Sequence, residues 1–225
     1  MESSIASDAT PRSKVAVPGG TGPLASSAPV SGLAFIMSGP SGVGKDTITA
    51  CLKEQQFPLG YCVTATTRQP RAGEVHGTHY YFLTDEDFVW LIEHGRFLEH
   101  AFVHGKRYGI PIEGMRAGLR TGNDVWVTPD VQGAATLRTK LHDAITIFLA
   151  PPKIEDLIPR LTRRGSESPE ELKIRLDDAE RWMKRVDEFD YLVVNAPGRI
   201  DESVEKVKAI ITAERARVTR RAVTL

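Results

Sequence analysis

The residues with the clearest chemistry form one run, Gly39-Pro40-Ser41-Gly42-Val43-Gly44-Lys45, which fits G-x-x-x-x-G-K between an apolar stretch and a helical one. Glycines there let the backbone curl until its N–H groups point inward at a phosphate. The helix N-terminus adds partial positive charge, and the lysine reaches the β- and γ-phosphates. This pattern indicates a nucleoside triphosphate site. Asp46 stands where Ser or Thr would ordinarily hold magnesium, and Thr47 follows with a hydroxyl that can bond a phosphate. Carboxylate oxygens suit Mg²⁺, so Asp46 serves either as its ligand, direct or through water, or only as a favourable charge at the helix start.

A second constellation runs from Thr64 to Glu74, with Tyr80 and Phe82 beyond it. Arg68 and Arg71, held apart by a turn that Pro70 stiffens, can converge on one phosphate through charge-assisted bonds, and Tyr80 and Tyr108 can add phenolic donors. The plain alternative is a solvated basic loop. A third group, Arg160, Arg163, Arg164 and Arg175, either gathers over phosphates or pairs on the surface with Glu167, Glu170 and Glu171. Cys51, His94 and His104 have no partner in register that would make any of them a nucleophile or base.

Short apolar runs alternating with helical stretches must position these groups. Strands are expected at Leu33 to Ser38, Tyr61 to Thr64, Asp124 to Thr128, Ile145 to Ala150 and Tyr191 to Asn195. Helices are expected near 45–55, 131–141, 153–163, 168–186 and 200–215, which makes an open parallel α/β sheet. Residues 65–110 break the alternation. Extended segments at His79 to Phe82 and Phe97 to Val103 flank a helix that Thr84 can cap, which suggests a small inserted lobe, and 155–175 suggests a second insertion.

Taken in order, these motifs resemble the guanylate kinase family. The resemblance rests on Gly-Pro-Ser-Gly-Val-Gly-Lys, Thr-Thr-Arg-x-Pro-Arg-x-Gly-Glu at 66–74, Gly-x-x-Tyr-x-Phe at 77–82, Phe97-Leu98-Glu99 and Tyr108-Gly109. It continues through Asp130-Val131-Gln132-Gly133, Ala150-Pro151-Pro152, Arg160-Leu161-x-x-Arg164-Gly165, Arg175-Leu176 and Val193-Val194-Asn195. It implies γ-phosphoryl transfer from ATP to GMP with Mg²⁺, on an α/β fold. That fold has a P-loop parallel sheet flanked by helices, an inserted GMP-binding lobe and a mobile lid.

The implied domain spans 32–215, with core at 32–64 and 116–152, the lobe at 65–115, the lid near 155–175 and C-terminal core at 176–215. Residues 216–225 are the C-terminal end. The implied roles give Arg68, Arg71, Tyr80 and Tyr108 to the GMP phosphate, and Thr64 and Glu99 to guanine with Glu74 and Asp130 completing the pocket. Lys45, Arg160, Arg164 and Arg175 neutralise charge in transfer, and Asn195 touches adenine.

Glu99 has a physical case of its own. Guanine presents N1–H and an amino group as adjacent donors, which one carboxylate accepts together, whereas adenine's bare N1 would face an acceptor. Ile110, Thr128 and Pro129 depart from the family pattern beside the base site, and Asp46 departs at the metal. Two relatives are therefore alternatives: a ribose 1,5-bisphosphate kinase and a non-catalytic, peptide-binding module.

Composition limits the rest. In 225 residues, 29 Lys and Arg balance 29 Asp and Glu, so no bulk basic field calls for nucleic acid or an anionic membrane. The apolar runs are far shorter than a membrane helix needs, and two cysteines make no disulfide framework or zinc site. Residues 1–31, rich in Ser, Ala, Pro and Gly, read as a disordered tail without the apolar core of a secretory signal. The expectation is a cytoplasmic enzyme acting on small molecules, as monomer or homodimer.

Overall fold

Ala34 to Ser38 are buried without exception, and the run forms a strand covered on both faces, as its unbroken apolarity requires. The computed structural model describes residues 31–103, 105–120, 124–162, 169–219 and 223–225. In chain order the elements are β1 (Ser31–Gly32), β2 (Ala34–Ser38), α1 (Lys45–Glu54), β3 (Gly60–Tyr61), β4 (Thr64–Thr66), β5 (Tyr80–Phe82), α2 (Asp85–Glu93), β6 (Phe97–Val103) and β7 (Lys106–Pro111). There follow α3 (Ile112–Arg120), β8 (Val125–Val127), α4 (Val131–Lys140), β9 (Ile145–Ala150), α5 (Ile158–Thr162), α6 (Pro169–Met183), β10 (Tyr191–Val194), α7 (Ile200–Arg215) and β11 (Val223–Thr224).

β2 is the middle of a five-stranded sheet, β10-β9-β2-β8-β3, in which every pairing is parallel. The pleat sorts its side chains into two layers. Phe35 and Met37 meet Ile48 and Leu52 of α1 and Val204, Val207 and Ile211 of α7. Ala34 and Ile36 meet Met115 and Leu119 of α3 and Ala134 and Leu137 of α4. Helices on both faces leave the carboxyl ends of the strands as the open crevice, where ligands of such sheets bind.

The second sheet, β5-β4-β7-β6, pairs β4 with β5 in parallel and the others antiparallel. Its small core stacks Phe88 on Phe97, ring centroids 4.5 Å apart, with Leu83 and Leu91 beside them. α2 starts where Thr84 accepts a hydrogen bond from the Asp87 N–H, as its sequence anticipates.

Three features depart from the sequence reading. The strand expected over 61–64 is divided between the sheets, Gly60–Tyr61 in one and Thr64–Thr66 in the other, because nothing in Tyr61-Cys62-Val63 punctuates the change. The helix expected over 153–163 opens as a 3₁₀ turn, Ile154–Leu157, and becomes α5 only at Ile158, where Pro159 falls in a first turn that needs no N–H from it. α3 was not anticipated, since Gly114 and Gly118 are poor helix formers. Both are there for close packing: a Cβ on Gly118 would lie 2.6 Å from Val125 Cγ2, and one on Gly114 3.2 Å from the free thiol of Cys62.

The expected tail falls on residues 1–30, outside the described residues, except that Ser31 belongs to β1. β1 pairs antiparallel with β11, and Val223, 3% exposed, joins the second core layer, so the C-terminal end is part of the fold. Among the described residues no helix is long and apolar enough to cross a membrane.

Candidate active site

A cavity of about 490 Å³ opens where the carboxyl end of β2 faces the second sheet, and four groups of residues wall it. The first is the loop between β2 and α1. Gly39 has φ of 150° and no room for a side chain, since a Cβ would fall 2.1 Å from the Leu149 carbonyl oxygen of β9. The loop is thereby pressed onto the sheet edge and turned into α1 through Gly44, whose φ of 112° lies in the left-handed region. Lys45, the first residue of α1, folds back so that Nζ donates to the carbonyls of Gly39 at 2.6 Å and Pro40 at 3.1 Å. Gly39, Ser41, Gly42, Gly44, Lys45 and Asp46 line the cavity, while Pro40, Val43 and Thr47 do not.

The second wall carries Arg68, Arg71, Tyr80 and Tyr108. Arg68 is fixed before any ligand arrives: Glu74 accepts from both its terminal nitrogens, at 2.7 and 3.0 Å, and its guanidinium lies 5.2 Å from the Tyr80 ring centroid. Glu74 also accepts from the Arg71 N–H at 2.7 Å. Burial opposes ionisation of Glu74, but these bonds and charges outweigh it and hold the carboxyl below its ordinary value. Glu74, expected in the base pocket, does not line the cavity and instead aims Arg68. Burial, and then the Asp46 carboxylate 3.5 Å away, push the Tyr80 phenol far above its ordinary value, so it remains a donor.

The third wall, farthest along the lobe, holds Thr64, Glu99, Ile110, Thr128, Pro129 and Asp130. Glu99 is 4% exposed, and its Oε1 is buried with no hydrogen-bond partner among the described residues. Burial, and then the nearby Asp130 charge, push its pKa up to about 8. The start of α4 presses on it so closely that a Cβ on Gly133 would stand 2.9 Å from Glu99 Oε2. Asp130 caps that helix, accepting from the Gly133 N–H at 2.7 Å. A buried carboxylate with an unpaired oxygen is stabilised by a ligand that presents donors to it.

The fourth wall is α6, from which Glu171, Arg175 and Trp182 reach the cavity and Arg175 donates to Ser41 Oγ at 2.9 Å. Two residues expected at the nucleotide stand behind the loop instead. Asn195, 4% exposed, donates to the Val43 carbonyl at 2.7 Å and accepts from Ser203 Oγ at 3.0 Å, because the short turn after β10 points it inward. Arg160 donates to the carbonyls of Val43 at 3.0 Å and Asn195 at 3.1 Å, so its charge is spent on backbone. Arg164 lies outside the described residues. Sequence reading also missed Ala101, Val103, Lys106 and Trp182; the alternation of β6 and β7 past Glu99 and Tyr108 was the signal for the first three.

The chemistry of the donor set bears on magnesium. No group of three or more His, Cys, Asp or Glu that could hold a metal is found among the described residues, but Mg²⁺ beside phosphates needs only one or two carboxylates with waters. Asp46, exposed at the cavity wall beside Lys45, fits that requirement.

Comparison with known proteins adds independent findings. The sequence model described as guanylate kinase matches residues 32–214. The chain is 43% identical over 189 residues to the guanylate kinase of Caldanaerobacter subterraneus subsp. tengcongensis, covering 84% of this chain and 91% of that one. It is 42% identical over 198 residues to guanylate kinase 2, chloroplastic/mitochondrial, of Oryza sativa subsp. japonica, covering 88% and 70%. The crystal structure of guanylate kinase from Anaplasma phagocytophilum superposes with a TM-score of 0.66 at 29% identity, covering 84% of this chain and 89% of that one.

Proposed function

This chain belongs to the guanylate kinase family, and from that membership we infer that it transfers the γ-phosphoryl group of ATP to GMP, giving ADP and GDP. The observation that carries the reading is one cavity holding both a phosphate cradle and, across a wall of arginines and phenols, a buried carboxylate whose Oε1 has no hydrogen-bond partner among the described residues. Guanine's two adjacent donors satisfy that carboxylate. Adenine sets a bare N1 acceptor beside its one amino group and a sugar phosphate has no planar pair of adjacent donors, so neither matches the carboxylate as guanine does; retention of Lys45 and Arg175 at the cradle disfavours a non-catalytic module.

In this reading Arg68, Arg71, Tyr80 and Tyr108 hold the GMP phosphate, with Glu74 as the positioning residue for Arg68. Thr64 supplies a hydroxyl to the base, and Asp130 adds negative charge beside its amino group. A GMP phosphate oxygen attacks the γ-phosphorus. One P–O bond forms as the bond to the β–γ bridging oxygen breaks, and its electron pair leaves on ADP. No protein base is needed, because that phosphate is already anionic near pH 7. Lys45 and Arg175 meet charge spread over the transferring group, and Arg164 joins them on the resemblance alone. Arg160 and Asn195 act as positioning residues that clamp the Val43 carbonyl and so hold the loop's curvature.

Mg²⁺ would be held by Asp46 together with the phosphates and would lower the charge on the transferring oxygens. We take 65–115 as the GMP lobe, about 155–175 as the lid and the cytoplasm as the compartment. The test measures ADP release from ATP with GMP, AMP and ribose 1,5-bisphosphate in parallel. Turnover confined to GMP is expected, and negligible turnover with GMP overturns the reading.

Asp46→Ala is expected to raise the magnesium concentration giving half-maximal activity about three- to tenfold, the worth of one carboxylate in a mostly hydrated site. It should also weaken ATP binding in calorimetry at limiting Mg²⁺ but not in EDTA. Identical magnesium titrations would leave Asp46 as a helix-start charge only.

A further inference from the structure

β6 and β7 run as a ruler along the cavity. Their register places Glu99 opposite Ile110, Ala101 opposite Tyr108 and Val103 opposite Lys106, and all six residues line the cavity. Two pairs intervene: His100 with Gly109, which has no side chain, and Phe102 with Arg107, which point away, since Phe102 is 64% exposed and Arg107 lies over its ring at 5.6 Å with Nε 3.3 Å from Asp85. The cavity therefore meets, in order, a carboxylate rung, a phenol rung and an ammonium rung. At the strand rise of about 3.4 Å per residue, Lys106 stands about 7 Å past Tyr108 and about 14 Å from the Glu99 rung.

GMP laid along this ruler, guanine at Glu99 and phosphate at Tyr108, leaves Lys106 beyond the acceptor phosphate. Across the cavity there are Ser41 and Gly42 of the loop and Arg175 of α6. Like Arg71, which donates to Glu74 only through its backbone N–H, Lys106 differs from three of the other cavity cations. Lys45 is clasped by two carbonyls, Arg68 is held by Glu74, and Arg175 is on Ser41. Lys106 makes no hydrogen bond or ion pair among the described residues through its ammonium.

We propose that Lys106 contacts the phosphoryl group in flight, adding from the lobe side a positive charge opposite those of the loop and α6. It stays protonated throughout and forms no covalent bond; its work is to neutralise charge on the equatorial oxygens while the P–O bonds exchange. The proposal rests on the GMP kinase reading given above. Because Lys106 faces the transferring group rather than GMP alone, its contribution belongs to the transition state.

The test compares wild type, Lys106→Met and Lys106→Arg. Lys106→Met is expected to lower kcat about 10- to 100-fold, with KM for GMP and for ATP within about threefold, and Lys106→Arg to recover most of kcat. Adenosine and guanosine joined by a pentaphosphate, which spans both sites, should bind Lys106→Met at least about tenfold more weakly while GMP alone binds as before. A kcat within about twofold of wild type overturns the proposal, as does a raised KM for GMP at unchanged kcat, which would make Lys106 a ground-state contact. Absence of GMP turnover in wild type would instead overturn the underlying reading. Melting temperatures close to wild type are expected, since the side chain is exposed.

Discussion

Lys45→Met lowers kcat by about three orders of magnitude while KM for GMP stays within about threefold, as expected for a charge that acts on the transferring phosphoryl group and not on the acceptor. The reason begins at Gly39, whose missing side chain lets the loop lie against Leu149 of the neighbouring strand. From that anchored loop α1 sets off, and the Lys45 ammonium returns across the loop onto the Gly39 and Pro40 carbonyls. The clasp holds a full positive charge at the loop before ATP binds. Methionine keeps the length and apolar stem but has neither charge nor donor, so the two bonds are lost at a stability cost of about 1–2 kcal/mol. Steady-state and single-turnover rates with saturating ATP and GMP check the prediction. A kcat within threefold of wild type would remove Lys45 from the chemistry. Lys45→Arg is expected to stay low as well, because a planar guanidinium does not fit a clasp built for a compact ammonium.

How much of this was legible in the sequence depends on how local the chemistry is. The cradle was legible because its glycines, lysine and flanking strand and helix are contiguous, and Thr84 was legible as a cap for the same reason. Positions decided by distant packing were not. Gly114 and Gly118 look like helix breakers until the approach of Cys62 and Val125 explains them. Asn195 and Arg160 carry the right side chains to face a nucleotide, yet the Val43 carbonyl, far away in sequence, claims both. Lys106 belongs to no motif, and its place follows only from a hairpin register. Glu74 belongs to the polar network of the pocket on the motif alone, but that both its oxygens go to Arg68 follows only from the fold.

Glu99→Gln is expected to cost about 10³-fold in kcat/KM for GMP and yet to make the empty protein more stable above neutral pH, two effects with one cause. The carboxylate is buried against the start of α4, with Asp130 near and Oε1 unpaired, and its pKa of about 8 lies well above the ordinary carboxylate value of 4.5. A folded-state pKa raised in this way means that the folded protein keeps a proton the unfolded chain loses. The associated stability is therefore fully present below pH 4.5, falls as pH rises, and is gone once pH passes about 8. Glutamine stays neutral throughout, so the melting temperature of the variant should rise relative to wild type from about pH 4.5 to about pH 8 and the difference should level off above that.

Binding runs the opposite way. Guanine's two donors need the ionised form, of which the empty protein holds about one-tenth at pH 7 and about half at pH 8. KM for GMP in wild type should thus fall about fivefold between pH 7 and 8, above the range where the GMP phosphate itself titrates, and calorimetry in buffers of different ionisation enthalpy should register proton release on binding. In Glu99→Gln both signatures should vanish, since glutamine offers guanine one carbonyl and one competing donor at every pH. A variant that still discriminates GMP from AMP as wild type does would show that the buried carboxylate is not what reads the base, whereas a wild-type KM flat from pH 7 to 8 would show that the carboxyl is already ionised at pH 7.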